Sequence, residues 1–229
     1  MEDLLSGKKH PSSSNPIPRV ITVANQKGGV GKTTTAINVA TCLAEIGNKV
    51  LIVDFDPQAN ATSAVGIEPG TFQESIYEIL LEQSDINQCI LSTEWPGLSI
   101  APATRDLSGA EIELVSAFNR ERFLKNVIEK VIDQYDYVFI DCPPSIGLLT
   151  VNALTAADEV LVPIQCEYLA LEGLGKLLNT IKSIQKIHNE NLLIEGLLLT
   201  MFDTRLNLSN QVKKEVKTHF NEMVFKTVI

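Results

Sequence analysis

One segment, residues 27–34 (KGGVGKTT), combines lysines, glycines and hydroxyls at a spacing that suits phosphate binding. Glycines let backbone N–H groups close around an anion without a Cβ in the way. The lysine near the end of such a loop reaches the β- and γ-phosphates of a nucleotide, and the next hydroxyl ligates Mg²⁺. The residues predicted to contact the nucleotide are Lys27, Gly28, Gly29, Val30, Gly31, Lys32, Thr33 and Thr34.

The flanking residues predict the elements that hold this loop. Val20–Ala24 is an apolar run typical of a buried strand, and a helical pattern begins near Thr34. The loop would then face the free N–H groups and positive dipole end of a helix N-terminus. The ordinary pattern G-x-x-x-x-G-K-[ST] requires glycine where this chain has Gln26, and Lys27 is an additional lysine.

Two further apolar runs end in carboxylates. Lys49–Asp54 and Tyr137–Asp141 are each typical of a strand buried on both faces. Ligands of open α/β sheets bind at the carboxyl ends of strands, so both acids are expected near the loop. Asp141 is predicted to hold Mg²⁺ as the Walker B acid, together with Thr33. Two roles stay open for Asp54, a structural one and contact with the metal shell through water.

Alternating strand and helix patterns predict an α/β fold: a doubly wound, mostly parallel sheet of the P-loop NTPase type. The chain has 229 residues, 45% of them apolar and 21% charged, and no Pro/Gly/Ser-rich break follows Pro18. We therefore expect a flexible tail over residues 1–18 and one ATPase domain over residues 19–229. Within that domain, 120–134 is predicted to be a helix capped by Asn119, and Ser209 is predicted to cap a helix running to Phe220.

These motifs resemble those of the ParA/Soj family of chromosome- and plasmid-partitioning ATPases, within the deviant Walker A (MinD/ParA) class. The resemblance rests on NQKGGVGKTT at 25–34, DFDPQ at 54–58 and DCPPS at 141–145, and it covers residues 19–229. It implies ATP and Mg²⁺ as cofactors and an ATPase that is slow until a partner stimulates it. It also implies catalytic roles for Lys27, which crosses a nucleotide-sandwich homodimer, for Lys32, and for Asp56, which orients the attacking water.

The family resemblance also implies partners. A ParB-type centromere-binding protein would stimulate hydrolysis, and the ATP dimer would bind DNA non-specifically through Arg205. The net charge of −9 argues against a permanently basic DNA-binding surface. The expected resolution is a patch formed only in the dimer, with Lys213, Lys214 and Lys217 as further candidates. The expected location is the cytoplasm, on the nucleoid when ATP is bound.

Two alternative functions remain open from the sequence. A MinD-like membrane-cycling regulator would need an amphipathic C-terminal helix, and residues 19–229 are expected to be C-terminally incomplete relative to the family. A metabolic ligase on the same scaffold would need a substrate site, for which no motif is evident. No run approaches ~18 apolar residues, so stable membrane association is not expected. The four cysteines show no C-x-x-C spacing and the three histidines are scattered, which predicts no metal cluster.

Overall fold

The computed structural model describes residues 17–168 and 170–229. Its described part contains an eight-stranded sheet flanked by helices. The strands are β1 (Arg19–Val23), β2 (Val50–Asp54), β3 (Leu91–Ser92), β4 (Leu98–Ala101), β5 (Tyr137–Asp141), β6 (Glu159–Gln165), β7 (Leu193–Thr200) and β8 (Val224–Val228). The α-helices are α1 (Lys32–Glu45), α2 (Asn60–Ala64), α3 (Ile76–Leu80), α4 (Ile86–Cys89), α5 (Leu107–Glu113), α6 (Phe123–Ile128), α7 (Leu148–Ala156), α8 (Ala170–Ile187) and α9 (Asn207–Phe220).

The strand order is β3-β4-β2-β5-β1-β6-β7-β8, and every neighbouring pair is parallel except β3 with β4. This confirms the predicted doubly wound, mostly parallel sheet. β1 lies between β5 and β6 at the centre, where successive strands are added to opposite sides. Ligands of such sheets bind at the carboxyl ends of the strands beside this point. The same arrangement places Val23 opposite Asp141, and Asp141 opposite Asp54.

The two faces of the sheet are buried under different helices. Along β2, Leu51 and Val53 belong to one apolar cluster, whereas Val50 and Ile52 belong to the other. Helix α1 covers the second face with a stripe of small residues, Ala36, Ala40 and Ala44. The other face is covered by residues of α3–α9. Because small residues let a helix approach a sheet closely, the alanine stripe lets α1 pack tightly against its face of the sheet.

The helix predicted over residues 120–134 is wrong as a single element. The structure has a 3₁₀ turn at Arg120–Arg122, then α6, then a second 3₁₀ turn at Ile132–Gln134. Asn119 is in the left-handed region (φ 55°) and makes no side-chain cap. Asn152 of α7 takes that place: its Oδ1 accepts from the Leu124 amide at 3.2 Å and its Nδ2 donates to the Arg120 carbonyl at 2.8 Å.

Two other expectations change or fall outside the structure. Ser209 does not cap α9, which begins at Asn207; its hydroxyl instead donates to the Cys166 carbonyl at 3.4 Å. Most of the tail predicted over 1–18 lies outside the described residues. Within the described ranges, no helix combines the length and apolar character needed to cross a membrane.

Candidate nucleotide-binding site

The loop between β1 and α1 has the backbone geometry of a phosphate cradle. Gly29 (φ 74°) and Gly31 (φ 87°) adopt left-handed conformations that favour glycine, and Gly31 is the N-cap of α1. Gly28 and Gly29 are exposed, and the first turn of α1 contains no acidic residue that would repel an anion. The Thr200 hydroxyl, at the end of β7, donates to the Val30 carbonyl at 2.9 Å. The loop is therefore open to solvent on one side and held by the sheet on the other.

Lys32 is buried at the base of this loop. Its side chain is directed to the start of the loop, where Nζ donates to the Lys27 carbonyl at 3.1 Å. Burial lowers the pKa of Lys32, whereas the nearby Asp141, Cys142 and Asp56 partly offset this change by raising it. A partly desolvated cation between acidic groups and an open loop is suited to bind a phosphate oxygen.

Asp141 is a buried carboxylate with no well-formed hydrogen bond. Its side chain is fully buried at the end of β5, and although the Thr33 hydroxyl lies beside it, neither oxygen has a hydrogen-bond partner of ordinary geometry among the described residues. Burial raises the pKa of Asp141 to about 7, and the negative charges of Asp54 and Asp56 add to this increase. The adjacent Thr33 hydroxyl and the Lys32 ammonium oppose it. Such an unsatisfied pair of oxygens is costly unless a cation takes it. Asp141 with the Thr33 hydroxyl therefore fits a hard, oxygen-preferring ion such as Mg²⁺.

Asp54, at the adjacent strand end, has a full set of internal donors. Its Oδ2 accepts from the amide and the hydroxyl of Thr62, both at 2.7 Å, and its Oδ1 accepts from the Asp56 amide at 3.3 Å. Burial raises the pKa of Asp54 to about 6, while the Thr62 hydrogen bonds oppose the shift. Of the two roles left open by the sequence, this geometry favours the structural one: Asp54 joins β2 to α2.

Asp56 lies in the turn between β2 and α2. Its Oδ1 accepts from the Gln58 amide at 2.9 Å, an Asx-type turn that orients the side chain. The side chain is buried, and its charge influences the pKa of both Lys32 and Asp141. The structure therefore brings Lys32, Thr33, Asp56 and Asp141 together at one end of the sheet. Their individual chemical roles stay predictions.

Lys27 is held by residues to which the sequence assigned no role. The Asn25 side chain accepts from the Lys27 amide at 3.0 Å and donates to the Pro163 carbonyl of β6 at 2.7 Å. The Lys27 ammonium forms an ion pair with Glu167, just after β6. The segment at 162–167 (VPIQCE) is similar in sequence to the corresponding family segment. Nothing in that similarity predicted an ion pair with a residue 140 positions earlier in the chain.

Arg205 lies on the surface beyond the end of β7. Its guanidinium binds both carboxylate oxygens of Asp203, with Nε–Oδ1 at 3.0 Å and Nη2–Oδ2 at 2.6 Å, and the side chain is 87% exposed. On α9, Lys213 lies over the Phe202 ring at 4.5 Å, while Lys214 and Lys217 are exposed. The role of these cations in DNA binding stays a prediction.

The cysteines and histidines form no metal centre in the described part of the chain. Cys42, Cys89, Cys142 and Cys166 are all unpaired thiols, and Cys42 is the exposed one. Among the residues described, no group of three or more histidines, cysteines and acids is arranged to hold a metal ion. Cys142 is buried directly after Asp141, and its amide donates to the Val23 carbonyl at 3.3 Å. It therefore serves the β1–β5 pairing.

Fold and loop together define the class: a P-loop NTPase with a deviant Walker A motif. A family model described as "AAA domain" matches residues 18–194. The sporulation initiation inhibitor protein Soj of Bacillus subtilis (strain 168) is 55% identical over 211 residues, which are 92% of this chain and 83% of Soj. The chain belongs to the ParA/Soj family.

Solved structures of proteins with related sequences share this fold. Cobyrinic acid a,c-diamide synthase from Mycobacterium smegmatis, solved with ADP and magnesium, is 43% identical with a TM-score of 0.85, covering 89% of this chain and 82% of that one. A plasmid partition protein from Borrelia burgdorferi B31, solved with AMPPNP, is 34% identical with a TM-score of 0.76, covering 88% and 81%. Both show that proteins with this fold and related sequences bind adenine nucleotides.

Proposed function

We propose that this member of the ParA/Soj family is a partitioning ATPase that binds ATP with Mg²⁺ and forms a homodimer around the nucleotide. The proposal rests above all on Asp141, a fully buried carboxylate with unpaired oxygens beside Lys32 and Thr33. A cation and a phosphate group would satisfy these three side chains at once. The names of two related proteins, the chromosome partitioning protein ParA of Myxococcus xanthus and the Borrelia plasmid partition protein, support the partitioning role.

The residues would divide the work as follows. Lys32, the loop amides and Thr34 at the first turn of α1 bind and orient the phosphates, while Thr33 and Asp141 hold the metal. When bound, Mg²⁺ supplies positive charge to phosphate oxygens as the terminal phosphoryl group leaves. Asp56 uses Oδ1 to accept from the Gln58 amide, and its second oxygen would orient the attacking water. Lys27 supplies the remaining positive charge across the dimer.

DNA and a ParB-type protein are the proposed macromolecular partners. The chain's net charge of −9 disfavours DNA binding by single copies. Two copies side by side would combine Arg205 and the exposed lysines of α9 into one positive patch, which makes DNA binding depend on ATP. Stimulated hydrolysis would then separate the two copies, so the positive patch would be lost and the protein would leave the DNA. Its proposed location is the cytoplasm, on the nucleoid in the ATP form.

The test is ATP hydrolysis at low salt with duplex DNA, with the cognate ParB-type protein, with both and with neither. The expected result is slow basal turnover that rises most when both are present. Lys32→Ala is the control for contaminating activity and should abolish turnover in all four mixtures. Nucleotide binding without any response to DNA or partner would contradict the partitioning role.

A second candidate is an ATP-dependent amide synthase. The observation in its favour is the name of the Mycobacterium smegmatis structure, which matches at 43% identity. In that case turnover should depend on cobyrinic acid and an ammonium salt and should ignore DNA. Measuring phosphate release with these additions in the same assay decides between the two candidates.

A further inference from the structure

The ion pair between Lys27 and Glu167 joins the phosphate loop to the segment that follows β6. Lys27 begins the phosphate loop, and Glu167 lies between β6 and α8. Their side chains are 34% and 33% exposed, so the pair is neither a solvated surface contact nor a sealed core pair. The Glu167 Oε1 atom is buried, and Lys27 is the cation it meets.

The backbone around Lys27 is fixed independently of this ion pair. Asn25 joins the Lys27 amide to the Pro163 carbonyl, and the Lys27 carbonyl accepts from Lys32 Nζ at 3.1 Å. Removing the Glu167 charge would therefore free the Lys27 ammonium without releasing the loop. The ammonium is the mobile part, because a lysine side chain has a flexible four-carbon stem.

In the proposed dimer, a phosphate group bound by the partner copy would compete with Glu167 for this ammonium. One lysine cannot neutralise a carboxylate and a phosphate fully at the same time, and a bare carboxylate beside a nucleotide repels it. We propose that Glu167 is a positioning residue that holds Lys27 in its own copy until formation of the nucleotide-bound dimer displaces it. This inference rests on the proposed function, and it makes the segment after β6 a determinant of nucleotide affinity.

The test compares three variants in binding a fluorescent, non-hydrolysable ATP analogue with Mg²⁺. Glu167→Gln removes the charge and nearly keeps the shape, Glu167→Asp keeps the charge, and Glu172→Gln is the matched control. Glu172 lies five residues further on, where it pairs with Lys176 at 2.9 Å in an exposed contact on α8. A thermal melt of each variant reports whether it is folded.

We expect Glu167→Gln to lower the Kd by about two- to fivefold, the scale of one partly exposed ion pair. Glu167→Asp should restore the wild-type value within a factor of about two, and Glu172→Gln should leave it unchanged. The gain should shrink in 1 M NaCl, because salt screens charge interactions over distances beyond about 3 Å. If the Lys27–Glu167 ion pair only stabilised the fold, Glu167→Gln would instead bind the analogue more weakly and have a lower melting temperature.

Two results would overturn the inference. If wild type binds the analogue and folded Glu167→Gln binds it equally or more weakly, Glu167 does not hold Lys27 back, and the proposed function is unaffected. If wild type itself fails to bind the analogue with Mg²⁺, both the inference and the proposed function are wrong.

Discussion

Asp54 and Asp141 end neighbouring strands and lie directly opposite each other, yet their carboxylates have different surroundings. Both are fully buried. Asp54 accepts three hydrogen bonds from Thr62 and Asp56, whereas Asp141 has only the Thr33 hydroxyl beside it and accepts no hydrogen bond of ordinary geometry from the described residues. A carboxylate with internal donors stabilises the fold, and one without them is available to a ligand. The same sequence pattern, an apolar strand closed by aspartate, thus produces a structural residue in one place and a candidate metal ligand in the other.

The largest expected effect comes from replacing the unpaired carboxylate. Asp141→Asn should lower Mg²⁺-dependent ATP hydrolysis by about 10²- to 10³-fold, the scale of losing one preorganised electrostatic contact. Asp133→Asn, at an exposed acid outside the site, is the control and should retain activity. Initial rates of phosphate release at saturating Mg²⁺ measure the effect. Turnover close to wild type would remove Asp141 from the metal site and end its contrast with Asp54.

Replacing the internally paired carboxylate should affect stability first. Asp54→Ala leaves the Thr62 amide and hydroxyl without their acceptor, so the free energy of unfolding should fall by about 2–4 kcal/mol. Urea unfolding measures the change. Thr62→Ser keeps the hydroxyl and should lose much less. If Asp54→Ala were as stable as wild type but no longer bound Mg²⁺, the roles assigned to the two aspartates would be reversed.

The pH dependence of stability gives an effect of comparable size and defined sign. The pKa of Asp141 is raised to about 7, above its value of about 4 in an unfolded chain. Its contribution to stability is therefore fully present below about pH 4 and is lost as pH rises through about 7. Without Mg²⁺, Asp141→Asn should exceed wild type in unfolding free energy at pH 8 by up to about 4 kcal/mol, and the two should converge at low pH.

Mg²⁺ supplies the internal control for that experiment. Added at pH 8, it should stabilise wild type and leave Asp141→Asn unchanged, because the binding of a ligand to the folded state adds to its stability. Urea midpoints at pH 5 and pH 8, with and without Mg²⁺, provide the comparison. A lower stability for Asp141→Asn at pH 8 without Mg²⁺ would mean that the ionised carboxylate has a partner in the fold.

The smallest effect concerns a third acid beyond a strand end, Asp203, whose partner Arg205 is exposed. Arg205→Ala should leave the thermal midpoint unchanged and weaken DNA binding by the ATP form about threefold. The slope of log affinity against log salt concentration should become shallower by about one. Asp203→Asn should strengthen DNA binding because it frees the guanidinium. Filter binding at several salt concentrations measures both variants. Equal DNA affinity in all three proteins would exclude Arg205 from the DNA contact.

Elements with a strong local pattern were predictable from the sequence. The strand before the loop, the strands ending at Asp54 and Asp141, and the helix after Gly31 follow from contiguous apolar runs and from glycines that adopt left-handed conformations. The gathering of Lys32, Asp56 and Asp141 follows from the rule that parallel strands present their carboxyl ends at one edge. These features depend on neighbouring residues, which the sequence displays directly.

Contacts between distant residues were not predictable in the same way. Asn152 accepts from the Leu124 amide near the start of α6, where a local cap was expected from Asn119. Ser209 lies inside α9 and donates to the Cys166 carbonyl instead of capping that helix. In both cases a tertiary hydrogen bond is made where only local ones were considered, so propensity alone gave the wrong boundary. The ion pair of Lys27 with Glu167 is a third contact between residues far apart in the sequence that no local pattern predicted.

By itself, the sequence determined the chemistry that this protein can perform: a phosphate loop with two lysines, a hydroxyl beside it and acids at strand ends. Only the tertiary structure decided which acid is free and which is paired. The reason is that the donors depend on how the chain turns after each strand: the turn after β2 brings the Asp56 amide and the Thr62 amide and hydroxyl onto Asp54, whereas the turn after β5 brings no comparable set onto Asp141. An apolar strand closed by aspartate does not specify that turn.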